Sequence, residues 1–179
     1  MLVPTLHRNG LLSALRIGFT TSKHFSTSTA LYKNRIYPST IRSESELETL
    51  TLMSASTRMP LITLWMTNWC ASCKVVSPLI RSLIQEDKVG ESVGGVSFAE
   101  VEMDSPDMGG IGGLPLRYGI NSIPTLLAFD RQEPQVETKV AKMDDLKSKE
   151  FLRKWIETEA ARHGRGGAGG KIGGLFGKW

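Results

Sequence analysis

Both cysteines of this 179-residue chain stand in one hexapeptide, Trp69-Cys70-Ala71-Ser72-Cys73-Lys74. Two thiols at this spacing can close an intramolecular disulfide when the backbone between them turns. They can also cycle, one thiolate attacking a disulfide and the other displacing the mixed disulfide that results. Metal binding is the competing chemistry, and it needs four N or S ligands. The remaining candidates, His7, His24 and His163, sit near the chain ends, so one chain does not assemble the set. A metal or cluster shared between two chains stays open, as does chance burial of two cysteines. The redox reading calls for no metal and no cofactor.

The flanking residues say how the pair is positioned. Leu61-Ile62-Thr63-Leu64-Trp65-Met66 is an almost unbroken apolar run that reads as a strand buried on both faces. From Lys74 to Glu86, Val75, Val76, Leu79, Ile80, Leu83 and Ile84 recur at helical spacing. Cys70 then falls at or just before the first helical turn, where backbone N–H groups lack partners and the helix dipole is positive. A thiolate there is stabilised, its pKa falling from about 8.5 into a range of roughly 3.5–7.5. Cys70 is the expected nucleophile and Cys73, one turn on, the resolving thiol.

Trp-Cys-x-x-Cys-Lys after an apolar strand resembles the thioredoxin family. A second segment supports the resemblance: Tyr118-Gly119-Ile120-Asn121-Ser122-Ile123-Pro124-Thr125-Leu126 is similar to the family's stretch carrying a cis-proline, and Pro78 matches the proline that kinks its active-site helix. The similarity runs from about Ser43 to Ala161. It implies an α/β thioredoxin fold, a three-layer α/β/α arrangement with a central mixed sheet. It also implies that Ile123, Pro124 and Thr125 meet the substrate backbone and that Trp69 lends a flat apolar surface beside the sulfurs, simple packing being the alternative for Trp69.

Three positions depart from the family pattern. Leu64 stands where thioredoxins commonly bury an Asp that assists the resolving thiol, and Glu100 where they usually carry a nearby Lys. Glu100 is therefore a candidate proton acceptor, with a solvated strand residue as the plainer reading. Ala71-Ser72 replaces the usual Gly-Pro, and a Ser72 hydrogen bond to the Cys70 thiolate would favour the reduced state. That places the expected potential between roughly −270 and −180 mV. Ala141 takes the place of a Gly beside the substrate groove, and its methyl narrows the approach.

The ends of the chain read differently from its middle. No Asp or Glu precedes Glu44, whereas Arg8, Arg16, Lys23, Lys33, Arg35 and Arg42 do. Without those six the chain holds 16 basic against 18 acidic residues, so the formal charge of +4 belongs to the leader and not to a nucleic-acid-binding face. Residues 1–40, rich in Ser, Thr, Leu and Arg, look like a mitochondrial transit peptide and disordered leader, the matrix being the expected destination. A merely basic tail is the alternative. Apolar content of 40% is ordinary, and no run reaches the 18 or so residues of a membrane span. Residues 43–161 form the expected domain. It opens on a capping box at Ser43 and Glu46, and its elements include a strand over 96–103, an antiparallel one over Val136–Val140 and a C-terminal helix from Asp144-Asp145. Asp104 to Pro115, with four glycines and Pro106, cannot be a regular helix at its centre and lacks the pattern of a phosphate loop. Residues 162–179 are a Gly-rich flexible tail that ends in Leu175-Phe176-Gly177-Lys178-Trp179, either inert or a docking peptide.

The expected activity is thiol–disulfide oxidoreduction, reducing protein disulfides in mitochondria with thioredoxin reductase as a candidate partner. The rival is a non-catalytic thioredoxin-like module that binds a partner through the same groove and uses the dithiol as a redox latch. A glutathione-using, glutaredoxin-like role is disfavoured by Trp69 and by Ala71-Ser72 in place of Pro-Tyr.

Overall fold

Along the chain, β1 (Arg35–Ile36) leads into α1 (Glu44–Thr57), β2 (Leu61–Met66), α2 (Cys73–Gln85) and β3 (Ser97–Glu102), followed by α3 (Leu114–Arg117), β4 (Thr125–Asp130), β5 (Glu133–Pro134), α4 (Met143–Lys147) and α5 (Lys149–Gly164). The computed structural model describes residues 33–109 and 113–164. The expected leader up to residue 32, the glycines around 110–112 and the tail from 165 lie outside the described residues.

The middle strand organises the rest. Leu61 to Trp65 of β2 are all buried, and because strand side chains alternate, each face of the sheet takes its share. Ile62 and Leu64 join Phe98, Leu126 and Ala128 beneath α2, α4 and α5. Leu61 and Trp65 join Ala99, Val101, Leu127 and Phe129 beneath α1 and α3. β2 pairs in parallel with β3 and antiparallel with β4, and the sheet order is β1-β3-β2-β4-β5. The result is the mixed sheet between two helical layers that the sequence implied.

Local chemistry explains the element ends. Ser43 caps α1, accepting the Glu46 amide while Glu46 accepts the Ser43 amide, a complete capping box. Pro78 lies inside α2; having no N–H, it leaves the Lys74 carbonyl without its helical partner.

The structure differs from the sequence reading in four places. The fold begins earlier than residue 43: β1 pairs with β3, and Ile41 is buried. Asn34 fixes this segment, its Nδ2 donating to the Ile84 and Val89 carbonyls at 3.0 and 2.8 Å and its Oδ1 accepting the Val96 amide at 3.0 Å. The disordered leader therefore does not extend to residue 40. The strand expected over Val136–Val140 is instead β5, a turn of 3₁₀ helix over Val136–Thr138 and a single bridge from Val140 to Leu126. Arg131 and Gln132 both hold positive φ, 51° and 71°, which closes a two-residue hairpin and brings pairing forward to Glu133. The C-terminal helix is two helices, because Ser148 takes an extended conformation and its Oγ accepts the Phe151 amide at 3.2 Å, capping α5. That second helix runs to Gly164, past the expected domain end at 161.

Candidate active site

The strand β2 ends at Met66, and the chain turns through Thr67 to Cys70, whose amide donates to the Thr67 carbonyl at 3.2 Å. Helix α2 then starts with Ser72 as its N-cap residue, but the Ser72 side chain makes no capping bond. The cap is sulfur: the Cys73 amide donates to Cys70 Sγ at 3.1 Å. A helix amide thus points at one of the two sulfurs, the kind of donor expected at the helix mouth, and the additional bond expected from the Ser72 hydroxyl does not cap the helix.

Cys70 and Cys73 form a disulfide with Cα atoms 5.3 Å apart. Cys70 keeps 6% of its surface exposed and Cys73 none. Of the two sulfurs, only that of Cys70 belongs to a residue with surface open to an incoming group.

Two side chains before the disulfide are tied to the end of β3. Trp69 is 72% exposed, and its Nε1 donates to Asp104 Oδ2 at 3.0 Å. Asn68 Nδ2 donates to Glu102 Oε1, and Glu102 Oε2 lies 2.6 Å from Arg42 Nε. The indole is held by its Nε1 edge while most of the side chain stays exposed, available to an apolar partner.

The second predicted segment leads into β4, which begins at Thr125. The Ile123–Pro124 peptide bond is cis. Ile123 is half-buried, Pro124 and Thr125 are buried, and Thr125 Oγ1 donates to the Ser122 carbonyl at 2.6 Å. Leu126 and Val140 exchange both backbone hydrogen bonds, at 2.8 and 3.0 Å, so exposed Ala141 stands beside Thr125 at the rim.

Glu100 is not the solvated residue of the plainer reading. It lies on the sheet face that α2 covers, opposite Leu64 in the β2–β3 register, with a side chain 14% exposed. Its Oε1 accepts from the Ser77 hydroxyl and from Arg81 Nε, the latter at 3.1 Å. Its Oε2 stands 3.1 Å from an Arg81 terminal nitrogen, and that guanidinium lies over the Phe98 ring, 5.6 Å from the centroid.

Sequence reasoning missed Asn68, Ser77, Arg81, Glu102 and Asp104. Only Ser77 and Arg81 carried a signal, their places four and eight residues after Cys73. Among the described residues no group of three or more His, Cys, Asp or Glu side chains is placed to hold a metal ion, and no helix is long and apolar enough to cross a membrane.

The thioredoxin family model matches residues 45–158. Thioredoxin of Rickettsia felis is 31% identical over 99 residues, which cover 55% of this chain and 79% of that protein. Thioredoxin of Buchnera aphidicola is 33% identical over 92 residues, 51% of this chain and 74% of its own length. Among solved structures, a Nicotiana alata thioredoxin aligns with a TM-score of 0.52 at 17% identity, over 72% of this chain and 95% of that one. The reduced Schistosoma mansoni thioredoxin pre-protein aligns with a TM-score of 0.51 at 19% identity, over 71% and 99%; both likenesses speak to the fold. With its paired Cys70 and Cys73 at the mouth of a helix, the chain belongs to the thioredoxin family and is a disulfide oxidoreductase.

Proposed function

We propose that this protein reduces disulfides of other proteins in mitochondria, with Cys70 as nucleophile and Cys73 as resolving cysteine. The observation that carries the assignment is the Cys73 amide directed at Cys70 Sγ. A donor fixed there stabilises negative charge on that sulfur more than on a neutral thiol. In the cycle, the Cys70 thiolate attacks a substrate disulfide, forming Cys70–S–S–substrate and expelling the other substrate sulfur as a thiolate. Cys73 then loses its proton and attacks Cys70 Sγ. The mixed disulfide breaks, the second substrate sulfur leaves reduced, and the Cys70–Cys73 bond carries the oxidation. Thioredoxin reductase is the proposed donor that reopens it.

Substrate would lie between Trp69 and the Ile123-Pro124-Thr125 segment, with Ala141 limiting bulk on the far side. The mitochondrial address rests on the acid-free, basic stretch before Glu44. Its test is a reporter carrying residues 1–40, which reaches mitochondria if that reading holds.

The activity is tested by trapping. Cys73→Ser, expressed in intact cells, accumulates mixed disulfides with many proteins through Cys70. The wholly buried Leu64, at the place where the family's proton-transferring Asp would sit, favours the rival binding module. One partner retained after Cys70→Ser would establish that rival. Turnover of a protein disulfide with NADPH and thioredoxin reductase, compared with glutathione, identifies the donor.

A further inference from the structure

Cys73 is wholly buried, yet in the proposed cycle it must shed a proton before it can displace Cys70. The sheet face beneath α2 gives that proton little to go to. Ile62, Leu64, Phe98, Leu126 and Ala128 line it, and Glu102, next on this face of β3, is taken by Arg42 and Asn68. Glu100 is different, because the side chains that hold it come from α2 itself.

Those side chains have a regular spacing. Cys73, Ser77 and Arg81 succeed one another at intervals of four, which stacks them on one stripe of a helix with Cβ atoms about 5–6 Å apart. Ser77 donates to Glu100 Oε1, and Arg81 spans both carboxylate oxygens at 3.1 Å. The Ser77 hydroxyl has one proton and two lone pairs. With its proton committed to Glu100, a lone pair is left for a donor, and the neighbour one turn back is Cys73. While the disulfide is closed, Cys73 Sγ is bound to Cys70; once it opens, the sulfur is free to turn toward Ser77.

Resting on the cycle proposed above, we infer that Ser77 and Glu100 are the proton route of the resolving cysteine. The Cys73 thiol passes its proton to Ser77 Oγ as the Ser77 proton moves onto Glu100 Oε1. The electron pair left on Cys73 Sγ forms the bond to Cys70 Sγ, the bond from Cys70 to the substrate sulfur breaks, and the substrate leaves as a thiolate. Glu100 then releases its proton to water past Arg81, whose side chain is 31% exposed, and the departing thiolate takes one up. Glu100 acts through Ser77, and Arg81 holds the carboxylate in line. No outside oxidant or reductant enters the step.

The test separates this route from the cycle it rests on. Reduced full-length protein is mixed with 5,5′-dithiobis(2-nitrobenzoate) and release of the coloured thiolate is followed in time. The first phase is attack by Cys70 and the second is displacement by Cys73. Ser77→Ala, which keeps the Arg81–Glu100 pair, and Glu100→Gln each slow the second phase at least about tenfold near neutral pH and leave the first unchanged. The double variant is no slower than the slower single one, and Ser77→Thr restores the rate. An unchanged second phase in Ser77→Ala overturns the inference, as does a parallel fall of both phases. Should Glu100→Gln not fold, Ser77→Ala and Ser77→Thr decide alone. Absence of a fast first phase in the unaltered protein would instead count against Cys70 as nucleophile.

Discussion

At the end of the sheet away from the disulfide, Glu159 is wholly buried on α5 and is gripped by Arg162 one turn later, at 2.5 and 3.0 Å. Arg162 also donates to Thr138 Oγ1 at 3.1 Å, tying α5 to the segment before Val140. At the disulfide end, Glu100 is nearly as well covered and is also matched with an arginine. Both pairs satisfy a carboxylate drawn out of water, so burial and ion pairing alone do not single out a functional group. What differs is the third partner. Thr138, the further acceptor of Arg162, belongs to the 3₁₀ turn after β5, whereas the Ser77 hydroxyl stands on the helical stripe that begins at Cys73. Of two similar ion pairs, one fastens the fold and the other is placed to take part in chemistry.

The sharpest way to break this division is to alter each end and measure both stability and exchange. Cys70→Ser lowers protein-disulfide reduction to the uncatalysed level in a turnover assay and leaves thermal unfolding of the reduced protein nearly unchanged. Arg162→Ala does the reverse. It leaves the Glu159 carboxylate buried without its cation, which costs on the order of 3 kcal/mol in urea unfolding, while the exchange rate per folded molecule stays the same. Arg81→Ala costs less, about 1 kcal/mol, because the Glu100 carboxylate it leaves is partly exposed and keeps the Ser77 hydrogen bond, whereas Glu159 is wholly buried, but it slows the Cys73 step. Were Arg162→Ala to slow exchange in the folded protein, the separation of the two ends would be wrong.

Smaller effects sharpen the same line. Ala141→Gly opens the rim beside Thr125 and raises kcat/KM for folded protein disulfides several-fold, with little change for a small disulfide. Asp87, at the far end of α2, is held below the ordinary carboxylate range by a hydrogen bond from Lys149 and then by Arg153. A folded pKa below the unfolded one gives stability that is present above the usual carboxylate value and lost as pH falls through the folded value. Asp87→Asn therefore lowers Tm slightly at pH 7, less than Arg162→Ala or Arg81→Ala does, and not at all in strong acid. Its exchange rate is that of the unaltered protein.

Much of this arrangement was legible in the sequence, for reasons that differ by element. The run Leu61–Met66 could be read because burial on both faces leaves little room for polar residues, Thr63 being admitted with its hydroxyl bonded to the Leu127 carbonyl. The capping box at Ser43 and the dithiol at the mouth of α2 are local, written within four residues. What escaped was decided elsewhere in the chain. Two residues of β1 show no period of their own, and their place depends on Asn34 reaching carbonyls fifty and more residues away. The hairpin turn uses Arg131 and Gln132 at positive φ, where Gly or Asn would have announced it. Ser148 followed by Lys149-Glu150 was a readable helix start, hidden because Asp144-Asp145 offered one first. The acidic character of Glu100 was visible, but not that Ser77 and Arg81 would converge on it, since that contact exists only once α2 lies on β3.

The central claim is that a helix amide holds negative charge on one sulfur of the pair. Titration of the two thiols in the reduced protein, read by the ultraviolet absorbance of the thiolates with Cys73→Ser for assignment, tests it most directly. The account predicts that Cys70 ionises well below the ordinary thiol value of about 8.5, and that Cys73 ionises above Cys70. A Cys70 thiol that titrates like a free cysteine, or after Cys73, would contradict it.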